Sequence, residues 1–475
     1  MLTRLKVRGF KNLVDVDVRF GAFTCIAGAN GVGKSNLFDA IRFLSALASD
    51  TLLGAAKSVR DNRRPDARSL FHRFGNQYAQ TMYFEAEMIV PKEGDDDLGQ
   101  RAVASMTFLR YTLELGYREI DSSLEVKYES LVHINKSDAR VNLPFKPSKS
   151  WRDSVINGRR TDPLISTLEN ANGEIEIRLH QDRGGIGGGR PTPRPARTLP
   201  RTLIHLANAA EYRTAVLARN EMSSWSLLQL EPTALREVDE INTPGHLTPS
   251  GEHLAATLYR LAQSYRTPEG ERDETSVYDR IALRVSELVR EIREVGIERD
   301  DKRDILTLWA AGADGTQHSA RALSDGTLRF LALAVLEADP EFHGVLCLEE
   351  PENGIHPERI EAMLNLLRAI AVDTSRPIDE HNPLRQVIIN THSPTVVGLV
   401  PSDCLLAAEL ISSQQEGQRY QHLSLSCIEG TWRASAEPQT PSISKGKLMR
   451  YLRPLEQAYL EPNAVGQLVW SPTLG

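Results

Sequence analysis

The sequence predicts an α/β fold: a parallel sheet with helices, split along the chain, its halves separated by an antiparallel β lobe and a helical insertion. Three observations predict it. The short apolar run AFTCIAG at 22–28 leads through a glycine loop into helical spacing from Ser35 onward. From residue 303 strand-like and helix-like segments alternate, the pattern of βα units in a parallel sheet. Between these ends, much of 81–134 alternates apolar and polar side chains with a period of two, as half-buried antiparallel strands do.

Taken in order, LTRLKVR (2–8) and VDVDVRF (14–20) alternate and read as two strands of antiparallel type. The buried run 22–28 is the next strand, and NLFDAIRFLSALA after Ser35 is the first helix. Residues 57–73 carry Lys57, Arg60, Arg63, Arg64, Arg68 and Arg73 against Asp61 and Asp66, which reads as a solvated loop or a cationic surface. Strands follow at 81–90, around 104–116 and at 123–134, with an acidic turn at Glu93, Asp95, Asp96 and Asp97. GGIGGGRPTPRPAR (184–197) reads as an irregular, mobile loop. Helical spacing occupies 203–230, 251–265 and 276–295, with no sustained heptad repeat and so no long coiled-coil arm. From 303 the order is DILTLWAAG, LRFLALAVLEA, GVLCLEEP, IEAMLNLLRAIA and QVIINTHS. The expected division is therefore 1–200 for the N-terminal part of the α/β unit with its β lobe, 201–300 for the helical insertion and 301–475 for the C-terminal part.

Composition narrows the function classes. The 475 residues carry 56 Lys+Arg and 63 Asp+Glu, a net charge of −7, with 41% hydrophobic and 25% charged residues. Collagen, a coiled-coil rod and a wholly disordered chain are excluded, and a dedicated basic packager of nucleic acid is disfavoured. A local basic groove stays possible. Cys25, Cys347, Cys404 and Cys427 are scattered, which argues against a disulfide framework or structural zinc and for a reducing cytoplasm. MLTRLKVRGFKNL has no apolar signal core and no run of 18 apolar residues occurs, so neither export nor a membrane span is expected.

Four motifs carry chemistry. Gly28-Ala29-Asn30-Gly31-Val32-Gly33-Lys34-Ser35 is a complete G-x-x-x-x-G-K-[ST] in a strand–loop–helix context. Its glycines let backbone N–H groups turn inward around phosphate oxygens, and the following helix points its positive end at the same anion. Lys34 would neutralise the β- and γ-phosphates, and the Ser35 hydroxyl would hold Mg²⁺. VLCLEEP (345–351) is a buried strand with Glu349 and Glu350 at its carboxyl end, one acid to order Mg²⁺ and one to orient or deprotonate attacking water. LSDGTLR (323–329) precedes an apolar helix that Ser324 can cap, and Ser324 with Gly326 can also face a γ-phosphate. VIINTHSP (387–394) is a buried strand ending in a polar cluster with His392.

GANGVGKSN, LSDGTLR, LEEPENGIHP and NTHSP, in that order, resemble the head domains of ABC-type ATPases of the RecF/SMC branch. More closely, they resemble the stand-alone AAA-family ATPases related to OLD-family nucleases and to anti-phage ATPase subunits such as those of Septu and PARIS. LKVRGFKNL and GEHLAATLYRL match that group too, so the resemblance covers roughly 1–90 and 250–400. It implies a P-loop NTPase head of ABC type that binds ATP and Mg²⁺, with Gly28, Asn30, Gly31, Gly33, Lys34, Ser35 and Asn36 in the phosphate loop. It also implies Glu349 with Ser35 at the metal, where many relatives carry Asp in place of Glu349, and Glu350 as catalytic base. His392 would sense the γ-phosphate, and Ser324 to Arg329, with Ser324 and Gly326 as contacts, would complete a neighbouring subunit's site. Asn353, Gly354 and His356 would cross a dimer interface. A Q-loop glutamine is expected after the first helix, with Gln77 and Gln80 both candidates.

The expected function is a nucleotide-gated homodimer or higher homo-oligomer acting on a second effector protein in anti-phage defence. The alternative is RecF-like DNA repair, in which Arg60 to Arg73, or the loop with Arg183, Arg190, Arg194, Arg197 and Arg201, would line a DNA groove. An intrinsic OLD-type nuclease is disfavoured because 82 residues follow Ser393 and no glycine-flanked Glu with a following D-x-D occurs among them. A membrane-transporter subunit is disfavoured by the RGFKNL opening and the EEPENGIHP wording.

Overall fold

The computed structural model describes residues 1–59, 66–158, 162–182, 192–267, 269–415, 417–436 and 440–452. Its centre is a sheet whose strands run in the order Ser226–Leu228, Gly344–Glu349, Arg385–Thr391, Phe23–Ala27, Leu405–Gln415, Gln418–Ile428 and Ser442–Ile443. The first five pair in parallel, and the hairpin Leu405–Gln415 with Gln418–Ile428 closes that side antiparallel. Phe23–Ala27 and Arg385–Thr391 are buried at every position, because a parallel strand is covered on both faces; Val387, Ile388 and Ile389 form the apolar middle of the second, with polar residues at its two ends.

The second sheet is antiparallel, in the order Thr192–Pro195, Ile175–Leu179, Ile165–Glu169, Ser123–His133, Phe108–Arg118, Thr81–Ile89, Leu2–Phe10 and Leu13–Arg19. Between the two sheets lies the helix Lys34–Ser49, buried along Leu37, Phe38, Ile41, Phe43, Leu44 and Leu47. Phe43 stacks on Phe10 with ring centres 5.8 Å apart, and Phe84 meets Phe10 edge-on at 5.5 Å. The same core takes in Ile26, Val345 and Ile388 of the parallel sheet. Helices Leu254–Ser264, Glu274–Ser286, Asp325–Ala338 and Ile360–Ile370 cover the opposite face against Leu346 and Ile389. The first helix is thus fixed from two sides, which fixes the loop that precedes it.

Several expectations change. The stretch 201–300 holds the helices Arg213–Ser223, Leu254–Ser264 and Glu274–Ser286, but Ser226–Leu228 joins the parallel sheet, and Asp239–Glu240 and Glu294–Asp300 are also strands. A strand of three residues leaves too little sequence for a period to show. Ile305–Ala311, expected in the parallel unit, pairs antiparallel with Glu294–Asp300 in a small separate sheet. Thr192–Pro195, expected to be irregular, forms the edge strand of the antiparallel sheet, where proline's missing N–H is tolerated. Ala196–Thr198 then makes a short 3-10 turn, while 183–191, with Arg183 and Arg190, lies outside the described residues, as do Arg60, Arg63 and Arg64. Among the described residues no helix is long and apolar enough to cross a membrane.

Candidate active site

Four strands of the parallel sheet end on the same edge, and each end delivers polar residues: Gly28 after Ala27, Gln229 after Leu228, Glu350 after Glu349, and His392 after Thr391. Carboxyl ends of parallel strands are where open α/β sheets place ligands. A cavity of about 820 Å³ opens there, lined on one side by Asn30, Gly31, Gly33, Lys34, Ser35 and Asn36 and on the other by Glu349, Glu350, Asn353 and Asn390.

The loop is held open by its glycines. Gly31 and Gly33 have φ of 79° and 106°, left-handed values that favour glycine. A Cβ on Gly33 would overlap the Asn12 side-chain amide, which itself donates to Val32 O at 3.2 Å and accepts from Asn36 Nδ2 at 2.8 Å. Asn12, in the turn between the first two strands, therefore braces the phosphate loop. Gly28 donates its N–H to Thr391 O at 3.1 Å, and a Cβ there would overlap the Ala408 backbone.

Lys34 is 5% exposed, and its ammonium donates to Gly28 O at 2.7 Å and Ala29 O at 2.8 Å. Burial lowers its pKa, opposed by the negative charges of Glu350, Glu352 and Glu349. Glu350 has φ of 45°, a left-handed backbone unusual outside glycine, and its N–H donates to Asn390 O at 3.1 Å and Asn390 Oδ1 at 3.0 Å. Asn353 Nδ2 donates to Glu350 Oε2 at 2.8 Å, and His392 Nδ1 lies 2.8 Å from Glu350 Oε1. Burial pushes the Glu350 carboxyl up, but the hydrogen bonds from Asn353 and His392 and the positive charges nearby together hold it below the usual carboxylate value. An ionised carboxylate fixed at both oxygens, facing a buried ammonium, can orient water beside a phosphate.

The donor set suits magnesium. The Ser35 hydroxyl and the Glu349 carboxylate, two hard oxygen donors, face one cavity into which phosphates would also reach, and Mg²⁺ favours few protein ligands completed by phosphate and water.

Ser324 caps the helix Asp325–Ala338, accepting from Thr327 N at 3.2 Å, and is exposed. Neither it nor Gly326 lines the cavity of its own chain. Arg329, one turn further on, does line it and donates to Asn353 O at 2.8 Å. Gly354 and His356 also lie off the cavity wall, and His392 touches the site through Glu350. Gln77 sits on the two-residue strand Gln77–Tyr78 and Gln80 is exposed beside it, both away from the cavity. Gln229 lines the cavity instead. Sequence reading missed it, along with Asn12, because neither stands in a local pattern that marks its chemistry.

A protein-family model described as AAA domain, putative AbiEii toxin, Type IV TA system matches residues 23–97 and 208–398. The DNA replication and repair protein RecF of Bacteroides thetaiotaomicron and that of Bacteroides fragilis are each 46% identical to this chain over 46 residues. That stretch is 10% of this chain and 12% of each RecF, so only a small part of these curated relatives is spanned. A crystal structure of the SMC head bound to the C-terminal winged-helix domain of ScpA aligns with a TM-score of 0.44 at 15% identity, over 89% of this chain and 97% of that one. The SMC head with an extended coiled coil bound to the C-terminal domain of ScpA, from Pyrococcus furiosus, aligns with a TM-score of 0.42 at 13% identity, over 96% of this chain and 99% of that one.

Proposed function

Since this chain belongs to the family described as AAA domain, putative AbiEii toxin, Type IV TA system, a RecF/SMC-like ABC-type ATPase, we propose that it hydrolyses ATP as a nucleotide-gated dimer. Its role on this reading is the sensor or scaffold subunit of a cytoplasmic anti-phage defence system, working with a second effector protein. One observation carries the ATPase reading: the phosphate loop with Lys34 and the doubly held Glu350 face each other across a single cavity.

The chemistry follows from these residues. Inward N–H groups of Asn30 to Ser35 and the Lys34 ammonium would bind the phosphates. Ser35 and Glu349 would hold Mg²⁺, which when bound neutralises charge on the phosphate oxygens. Glu350, kept ionised by Asn353 and His392, would orient the attacking water and accept its proton as the water oxygen bonds to the terminal phosphorus, while the bond from that phosphorus to the β–γ bridging oxygen breaks and ADP leaves. Gln229, at the end of the neighbouring strand, is the proposed Q-loop glutamine in place of Gln77 or Gln80.

The gating is supported by position. Ser324 is exposed and Gly326 half-buried, both off the chain's own cavity, which leaves them available to a second copy's phosphates. The defence role is supported by the family's own description, which names a toxin–antitoxin system.

A second reading, RecF-like action on DNA, is favoured by the RecF match. Against it, Arg68 of the first cationic stretch is already engaged, stacked over Tyr78 at 4.9 Å and Tyr117 at 5.3 Å and paired with Glu119 at 3.2 Å.

Lys34→Ala is expected to abolish ATP binding in calorimetry, because the ammonium meets ground-state phosphate charge. Glu350→Gln is expected to retain binding and lower kcat by roughly 100-fold or more, the range for losing a general base. Near wild-type turnover by Glu350→Gln would remove Glu350 from the mechanism. The same variant, loaded with ATP and titrated with duplex DNA across a salt series, separates the two roles, since phosphate contacts weaken steeply with salt.

A further inference from the structure

We propose that Glu352 is a positioning residue that locks the end of the strand Arg385–Thr391, and through it the carboxylate of Glu350, in register with the phosphate loop. The inference rests on the ATPase reading above and deepens it.

Glu352 lies in the turn that leaves the Glu349–Glu350 strand end, where Asn353 N donates to Glu350 O at 2.9 Å and Ile355 N donates to Glu352 O at 3.0 Å. It is 7% exposed. Its Oε1 accepts a hydrogen bond from the Thr391 hydroxyl. Its Oε2 is buried with no hydrogen-bond partner among the described residues. A carboxyl kept buried at such a cost calls for a reason.

Thr391 supplies one. It is fully buried, its carbonyl accepts from Gly28 N at 3.1 Å, and its Oγ1 accepts from Ser393 N at 2.9 Å while donating to Glu352. The two residues that flank it both hold Glu350: Asn390 takes the Glu350 N–H at 3.0 Å and His392 meets Glu350 Oε1 at 2.8 Å. Along this strand end, Asn390 and His392 serve the catalytic carboxylate while Thr391 between them is tied to the phosphate loop and to Glu352.

Glu350 adopts a left-handed backbone that persists only where its surroundings hold it. Releasing Thr391 lets the strand end shift, and Asn390 and His392 shift with it. Lys34 is affected less, since its own contacts are the carbonyls of Gly28 and Ala29. Loss of Glu352 therefore acts on turnover more than on nucleotide affinity. Burial raises the Glu352 carboxyl, opposed by the Thr391 hydrogen bond, as fits a group that serves by position and not by exchanging protons with solvent.

The test compares full-length wild type with Glu352→Ala, Glu352→Gln, Thr391→Val and the double variant Glu352→Ala/Thr391→Val, reading ATP Kd, kcat and melting temperature. Glu352→Ala and Thr391→Val are each expected to lower kcat roughly tenfold or more with Kd changed less than about threefold. Glu352→Gln keeps an acceptor for Thr391 and is expected to recover most of the rate. The double variant is expected to be no slower than the worse single one, because both break one contact. Wild-type kcat in Glu352→Ala, equal losses in kcat and affinity, or additive losses in the double variant would each overturn the proposal. Should Glu352→Ala fail to fold, Thr391→Val and Glu352→Gln decide it by the same criteria. A wild-type protein that neither binds nor hydrolyses ATP overturns the ATPase reading itself, whereas an active wild type with unaffected variants overturns only the role of Glu352.

Discussion

At the phosphate loop, Gly28, Gly31 and Gly33 are glycines for different physical reasons, so replacing them has different consequences. Gly31 has open space around a would-be Cβ and only its φ of 79° to object, so Gly31→Ala is expected to cost about 1 kcal/mol. Gly28 would drive a Cβ into the Ala408 backbone, and Gly28→Ala is expected to cost more, about 2 kcal/mol or above. Gly33 combines a φ of 106° with a clash against Asn12, so Gly33→Ala is expected to weaken ATP binding most per unit of stability lost. Urea melts beside ATP titrations check the order, and equal effects at all three positions would contradict it. The loop was legible in the sequence because its chemistry is local: each of its residues acts within a few positions of the next. Gln229, Asn12 and Glu352 were less legible because each acts on partners brought close only by the sheet. Gln229 stands after a strand of three residues, and Asn12 reaches Asn36 across the core turn.

Among the elements, the strand Ser123–His133 shows how the β lobe is fastened to the rest. Its Glu129 is fully buried and accepts from Leu203 N at 2.7 Å, Ile204 N at 2.9 Å and the Tyr111 hydroxyl at 3.1 Å. The adjoining Thr202 hydroxyl donates to Leu47 O in the first helix at 2.9 Å, so this one carboxyl sits where lobe, connector and first helix meet. Burial raises it from 4.5 to about 7, against the pull of its three hydrogen bonds. Between those values the folded chain holds a proton that the unfolded chain has released. Its contribution is therefore fully present below the lower value and lost as pH rises through the upper one, by about 3 kcal/mol. Wild type measured against Glu129→Gln by chemical unfolding is expected to lose this much relative stability from about pH 4 to pH 8. A constant difference would contradict the assignment. The antiparallel strands of this lobe were readable from their period of two, whereas Thr192–Pro195 was not, because its prolines and glycine-rich approach speak for a loop and only the edge position allows a strand.

For the whole molecule, the separation of Ser324 and Gly326 from their own cavity makes the proposed catalytic unit larger than one chain. Specific ATPase activity is expected to climb with protein concentration and to level off as dimers saturate, followed by light scattering on the same samples. A monomer with full activity would contradict this. The parallel sheet has a consequence of another kind. Its phosphate-loop strand, Phe23–Ala27, lies between Arg385–Thr391 and Leu405–Gln415, and Leu2 bonds to Gln386 across 384 positions of chain. During synthesis that apolar strand leaves the ribosome well ahead of Arg385–Thr391 and Leu405–Gln415, the neighbours it pairs with, and waits for them roughly twenty seconds or longer at ordinary elongation rates. Until then it is an unpaired, sticky edge, the kind of nascent segment that chaperones must shield. The ribosome therefore delivers the phosphate-loop half of the proposed site long before the chain can use it, and a polypeptide released early carries that loop's sequence without the sheet that shapes it.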